Sequence, residues 1–94
     1  MFEKYEYAEI TIEELADIHP SFYRFCDVRD EVSYRYGSIP KAENISNIVE
    51  LAEEGKLDKN ISYVLYCMKG IQSMDMAYEL RGMGYDAVSL KGGY

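Results

Sequence analysis

Ile61-Ser62-Tyr63-Val64-Leu65-Tyr66-Cys67-Met68-Lys69-Gly70-Ile71-Gln72-Ser73 is the stretch that decides the fold. Its first six residues are a nearly continuous apolar run, the pattern of a parallel strand buried on both faces. From Ser73 to Met83 the side chains of Met76, Ala77, Leu80 and Met83 then gather on one side of a predicted helix. Between strand and helix lies a short turn containing Cys67 and Gly70. In open parallel sheets, ligands bind at the carboxyl ends of strands, and that is where this cysteine falls.

Reading outward, Gly84 ends the helix and Ala87-Val88-Ser89-Leu90 forms the last strand. Toward the N-terminus, Tyr7 to Ile10 suits a short strand. Thr11-Ile12-Glu13-Glu14 reads as a capping box that opens a helix, which His19-Pro20 stops. Phe22, Tyr23, Phe25, Cys26 and Val28 form a β-rich run broken only by Arg24. Asp30 caps a further helix ending near Gly37, and Ala42 to Ile45 is a weak strand. Ser46 opens a helix carrying Ile48, Val49, Leu51 and Ala52, which Gly55 closes, and residues 55–60 form a polar loop. Strands alternating with helices on this scale imply an α/β fold, a central parallel sheet with helices on both faces, as a single domain over residues 1–94.

The charge balance narrows the partners. Ten basic and 17 acidic residues leave a net charge of −7, and no basic run occurs, so neither nucleic acid nor an anionic membrane surface is expected to bind. No apolar stretch is long enough to span a bilayer. The segment Met1 to Tyr7 is acidic and aromatic, unlike a secretory signal, so the expected location is cytoplasmic, with reduced thiols. Two cysteines, no CxxC pair and one histidine, His19, give no metal set, and no cofactor is expected. His19 reads as a helix-end residue. Ten tyrosines without a tryptophan carry no functional reading of their own.

Cys67 is the candidate nucleophile. Turn amides and the positive end of the following helix both favour thiolate over thiol. Gly70 lets the turn fold tightly enough for its amides to converge on an anion. Lys69 adds a cation, whereas Asp75, expected in the first helical turn, opposes the thiolate. A cysteine at a strand end can equally be a small buried apolar residue. Cys26 is either core or a second, resolving thiol, and Met68 either a substrate or partner contact or a plain loop residue. Met74, Met76 and Met83 read as packing.

Cys67-x-x-Gly70-x-x-Ser73 after a hydrophobic strand resembles the active-site loop of rhodanese-like sulfurtransferases. Three further segments match in the family's order: Cys26-Asp27-Val28-Arg29-Asp30; Tyr34 to Ile45, with Gly37-Ser38-Ile39-Pro40-Lys41-Ala42-Glu43-Asn44 at its centre; and Leu80 to Asp86 running on to Leu90-Lys91-Gly92-Gly93-Tyr94. The resemblance covers the chain from about Ile10 onward. It implies the family's three-layer sandwich and sulfur transfer through a persulfide on Cys67. The loop Met68, Lys69, Gly70, Ile71, Gln72 and Ser73 would hold the anion. The implied partners are a small sulfur donor, thiosulfate or a persulfide, and a thiol acceptor or partner protein. Asp27 and Arg29, at the end of a strand beside the cysteine's, either line the pocket or form an internal ion pair. The family's pattern is not followed at Ser38 (commonly histidine), Lys41 (commonly small) and Gln72, and the loop has no arginine. Relatives also usually continue into another helix beyond the Gly-Gly segment, so apolar surface on one sheet face is expected to be exposed or covered by a partner.

Two other readings compete with the enzyme. One is a catalytically idle rhodanese-like module that binds a protein partner. The other is an oxyanion enzyme of the phosphatase type, whose Cys-x5-Arg loop would need an arginine where Ser73 stands.

Overall fold

The computed structural model describes residues 1–94. Five strands, β1 (Glu9–Ile10), β2 (Arg24–Asp27), β3 (Glu43–Asn44), β4 (Ser62–Tyr66) and β5 (Asp86–Leu90), form one sheet in the order β1-β5-β4-β2-β3. All four pairings are parallel. The helices are α1 (Ile12–Ala16), α2 (Glu31–Tyr36), α3 (Ile48–Glu53) and α4 (Ile71–Gly82), with a 3-10 turn at Pro20–Phe22.

The central strand explains the apolar run. In β4 the side chains alternate, so Tyr63 and Leu65 enter one apolar cluster with Ala52, Ala77 and Leu80 from α3 and α4. Val64 and Tyr66 enter the other, with Phe2 and with Leu15 of α1. Both layers therefore demand apolar residues, and each large side chain buried this way contributes roughly 1.5–3 kcal/mol. Helices thus cover both faces of a parallel sheet. The α1 face also carries an apolar groove of about 400 Å3, walled by Ile12, Leu15, Ile18, Tyr23, Phe25 and Pro40.

The tyrosines act as loop anchors as well as core. The hydroxyls of Tyr63 and Tyr34 donate to the carbonyls of Asp58 and Ala42, both at 2.7 Å, and that of Tyr85 donates to Leu57 at 3.1 Å. Each ring buries its body and ties its polar tip to a connecting segment.

The Thr11 box forms in full: the Glu14 amide donates to the Thr11 hydroxyl at 3.1 Å, and the Thr11 amide to the Glu14 carboxylate at 2.9 Å. Other boundaries differ from the sequence expectation. Helix α1 ends at Ala16, and His19 instead caps the following 3-10 turn, its Nδ1 accepting from the Ser21 amide. Helix α3 is preceded by Asn47 rather than Ser46. Helix α4 starts at Ile71, two residues earlier than expected, because Gly70 in the left-handed region (φ 83°) turns the chain directly into it. Asp75 is then its fifth residue, past the first turn.

Candidate active site

Strand β4 delivers Cys67 to the carboxyl edge of the sheet, one residue beyond Tyr66. Gly70 then reverses the chain. A Cβ at Gly70 would meet the Gly92 amide nitrogen at 3.1 Å and the Leu90 carbonyl at 3.3 Å, in a backbone region where side chains are strained anyway. Helix α4 therefore begins on a residue with no side chain to cap it, and its first amides need another acceptor. The Cys67 sulfur takes that place. Its Sγ accepts from the Gly70 amide at 3.2 Å and from the Ser73 amide at 3.3 Å.

Cys67 is 3% exposed. Burial pushes its thiol up, but the Ser73 hydroxyl and the amides of Ser73, Gly70 and Lys69 together outweigh burial and hold it below its ordinary value. Lys69 contributes through its backbone, while its side chain is exposed. Asp75 is not among the main influences on the thiol, in keeping with its place beyond the first turn of α4. Ile71 points to solvent, 65% exposed, so the expectation that the whole run from Met68 to Ser73 faces the anion narrows to the two donors just named and the Lys69 amide.

The C-terminal residues lock the loop from above. The Cys67 carbonyl accepts from the Tyr94 amide at 2.9 Å. Gly93, at φ 67°, passes so close that an added Cβ would collide with the Cys67 carbonyl oxygen and lie 2.7 Å from the Met68 carbonyl carbon.

The sequence left Asp27 and Arg29 either in the pocket or in an ion pair, and the two residues divide. Asp27 is fully buried and does not line the pocket. It holds Arg29 through Nε at 3.0 Å and a terminal guanidinium nitrogen at 2.7 Å, and accepts from the Arg29 amide at 2.9 Å. Burial raises the Asp27 carboxyl, yet the Arg29 and Tyr66 bonds bring it below the ordinary value. Arg29 also donates to the Gly37 carbonyl at 2.6 Å, and its guanidinium sits 4.7 Å from the Tyr94 ring centroid and 5.6 Å from that of Tyr66. It remains a wall of a pocket of about 380 Å3, together with Val28, Asp30, Ser33, Ser46, Met68, Gln72 and Met76. Met68 is 60% exposed at the rim. Cys26 is wholly buried in β2.

Sequence reasoning missed Ser89 and Tyr94. Ser89 lies on β5, fully buried, with its hydroxyl 2.6 Å from that of Ser73. A serine among Ala87, Val88 and Leu90 was the available signal, since a polar group in a buried strand needs a partner.

An all-parallel α/β sheet with a cysteine between a strand and a helix, its sulfur met by two backbone amides, defines the class of small α/β domain to which this chain belongs. Within that class, this chain belongs to the rhodanese-like domain family, whose model matches residues 9–94. The tRNA sulfurtransferase of Pyrobaculum aerophilum is 40% identical over 65 residues, covering 69% of this chain and 13% of that protein. The chain thus spans only a small part of that curated relative. The crystal structure of a rhodanese-related protein from Thermoplasma volcanium superimposes with a TM-score of 0.75 and 30% identity, covering 90% of this chain and 84% of that one. A rhodanese homolog from Thermus thermophilus gives 0.68 and 31%, covering 90% and 94%. No helix is long and apolar enough to cross a membrane.

Proposed function

We propose that this domain is a sulfurtransferase in which Cys67 carries sulfur as a persulfide. The observation that carries the reading is the pair of amide bonds to Sγ at the start of α4. In the first half-reaction the Cys67 thiolate attacks the outer sulfur of a donor such as thiosulfate. A bond forms between Sγ and that sulfur, the donor's S–S bond breaks, and sulfite leaves with the electron pair. In the second, a thiol or cyanide attacks the outer sulfur, and the Sγ–S bond breaks to return the thiolate. The amides and the N-terminal end of α4 stabilise the negative charge on the sulfur.

The tRNA in the name of the Pyrobaculum relative does not transfer easily to this chain. A net charge of −7 without a basic run gives phosphate backbones nothing to bind, so the acceptor is a thiol or a partner protein.

One observation favours the idle binding module as a second reading. Arg29, the one cation lining the pocket, is already neutralised by Asp27, and Asp30 lines the same pocket, so an anionic donor gains little there. Mass spectrometry after incubation with thiosulfate, followed by cyanolysis, separates the two. One added sulfur on Cys67, released as thiocyanate, supports the enzyme. A protein that accepts sulfur from no donor, thiosulfate or persulfide, leaves the binding module.

A further inference from the structure

We propose that the pocket beside Cys67 selects a small sulfur carrier with a positive charge next to its sulfur, a protonated aminothiol or its persulfide, and that the Asp30 carboxylate makes the selection. This deepens the proposed function and rests on Cys67 being the nucleophile. The sheet register brings the two groups to one edge. Asp27 of β2 pairs with Tyr66 of β4, so Val28 to Asp30 and Cys67 to Gly70 leave the sheet side by side. Both segments wall the same pocket, with Val28, Arg29 and Asp30 from one and Met68 from the other, joined by Gln72 of α4. Met68 follows the nucleophile, and Gln72 precedes Ser73, whose amide meets the sulfur at 3.3 Å. A volume of about 380 Å3 is the size of a small-molecule site.

The charges of this pocket do not cancel. Arg29 is matched by Asp27 at 2.7 Å, and Lys69 does not line the pocket. Asp30 takes part in none of the ion pairs of the fold. One of its carboxylate oxygens accepts from the Ser33 amide at 2.8 Å and the other from the Ser33 hydroxyl at 3.2 Å. Each carboxylate oxygen can accept two bonds, so both keep room for an ammonium group. The Ser33 amide also holds the Asp30 carboxyl below its ordinary value, so it is ionised at neutral pH. An anionic donor therefore meets a like charge here, and a cationic one meets an opposite charge. In loading, the Cys67 thiolate attacks the outer sulfur of the carrier's persulfide. A bond forms between Sγ and that sulfur, the carrier's S–S bond breaks, and the carrier's thiolate leaves with the electron pair. The neighbouring ammonium lowers the basicity of that thiolate, which makes it a better leaving group.

The test uses aminoethyl, hydroxyethyl and sulfonatoethyl methanethiosulfonate, a cation, a neutral molecule and an anion of similar size. With each, the Cys67 thiolate attacks the thio sulfur, a mixed disulfide forms, and methanesulfinate leaves with the electron pair. Mass spectrometry of the native protein gives the three rates, with the label assigned to Cys67 by peptide mapping. All three reagents meet the same thiolate, so ratios of their rates do not depend on its pKa. Asparagine caps a helix about as well as aspartate, so Asp30→Asn keeps α2 and removes only the charge, with folding checked by thermal denaturation. Asp30→Asn should lower the aminoethyl-to-hydroxyethyl ratio about threefold, the size of one solvent-exposed ion pair, and raise the sulfonatoethyl-to-hydroxyethyl ratio. Asp30→Ser, which also caps, should repeat the result. Glu31→Gln removes the same charge one residue along, from a side chain that pairs with Arg35 at 2.7 Å and lies outside the pocket, and should change either ratio less than about 1.5-fold. Wild-type ratios in Asp30→Asn and Asp30→Ser, or an equal change in Glu31→Gln, would overturn the inference. These reagents need no sulfur transfer, so a wild type that never loads sulfur would defeat the proposed function and still leave the selection by Asp30 readable.

Discussion

Cys26 and Cys67 belong to the same apolar cluster and are 0% and 3% exposed, yet their thiols are driven in opposite directions. Burial pushes Cys26 up to about 12, with Arg24 opposing and Glu43 adding to the rise. Cys67 suffers burial too and is still held below its ordinary value. The difference lies in what the backbone offers. Cys26 sits within β2, paired with Leu65 on one side and Glu43 on the other, and its sulfur meets only the Arg24 carbonyl, at 3.9 Å. A carbonyl rewards a protonated thiol. Cys67 has passed the end of its strand, where the amides of Gly70 and Ser73 have no ladder to join. Cys26 lies deeper than Cys67, and only Cys67 has peptide amides aimed at its sulfur to offset what burial costs the thiolate.

The largest effect should come from exchanging each sulfur for oxygen. Cys67→Ser should remove sulfur loading, by roughly 10³-fold or more in turnover, while Cys26→Ser stays near wild type. Thiosulfate-to-cyanide transfer measures both, and equal losses would break the comparison.

Selective labelling comes next. The Cys67 thiolate fraction grows as pH rises through a pKa below the ordinary thiol value, so iodoacetamide should modify Cys67 near neutral pH. Cys26, with its thiol near 12, should be labelled only after denaturation. Each unit of separation is a factor of about ten, so the native-state ratio should exceed ~10³ by peptide mass spectrometry. Similar rates would show that amide direction is not what separates the two.

A backbone change sharpens the contrast. Gly93→Ala places a Cβ against the Cys67 carbonyl in a left-handed conformation and should cost about 1–3 kcal/mol in urea denaturation, with a loss of Cys67 labelling at neutral pH. Gly92→Ala, at φ 82° but facing open space, should cost only about 1 kcal/mol and leave labelling intact. The smallest effect belongs to Lys69→Ala. The Lys69 amide survives the substitution, so alkylation by neutral iodoacetamide should change less than about twofold, while KM for anionic thiosulfate rises a few-fold, as expected of an exposed charge.

Much of this arrangement was readable beforehand because it depends on local patterns. The Thr11-x-x-Glu14 box, the run ending at Tyr66 and the Gly70 turn each state their structure within a few residues. What escaped depends on distant chain segments. The start of α4 at Ile71 is the local exception: Gly70, read for the turn, also sets the helix start through its left-handed backbone. The separate roles of Asp27 and Arg29 depend on Gly37, Tyr66 and Tyr94 meeting around one guanidinium. Ser89 is meaningful only opposite Ser73, 16 positions earlier in the chain. Phe2, in a segment read as acidic and aromatic, is wholly buried in the cluster on the α1 face, while Arg81 of α4 donates to its carbonyl at 2.7 Å.

The sheet order has a consequence in time. β1 pairs only with β5, so the first strand synthesised waits for the last. A chain emerging from the ribosome can join β2, β3 and β4 early, but Ile10 has no strand to join until residues 86–90 exist. Closing so long a loop is the slow part of folding such topologies. The Cys67 cradle follows the same schedule, since the Gly70 and Ser73 amides require α4 and the tether on its carbonyl requires Tyr94. The sulfur is therefore an ordinary thiol from its own synthesis until residues 70–94 have folded around it, and it gains its amide cradle only as the fold closes.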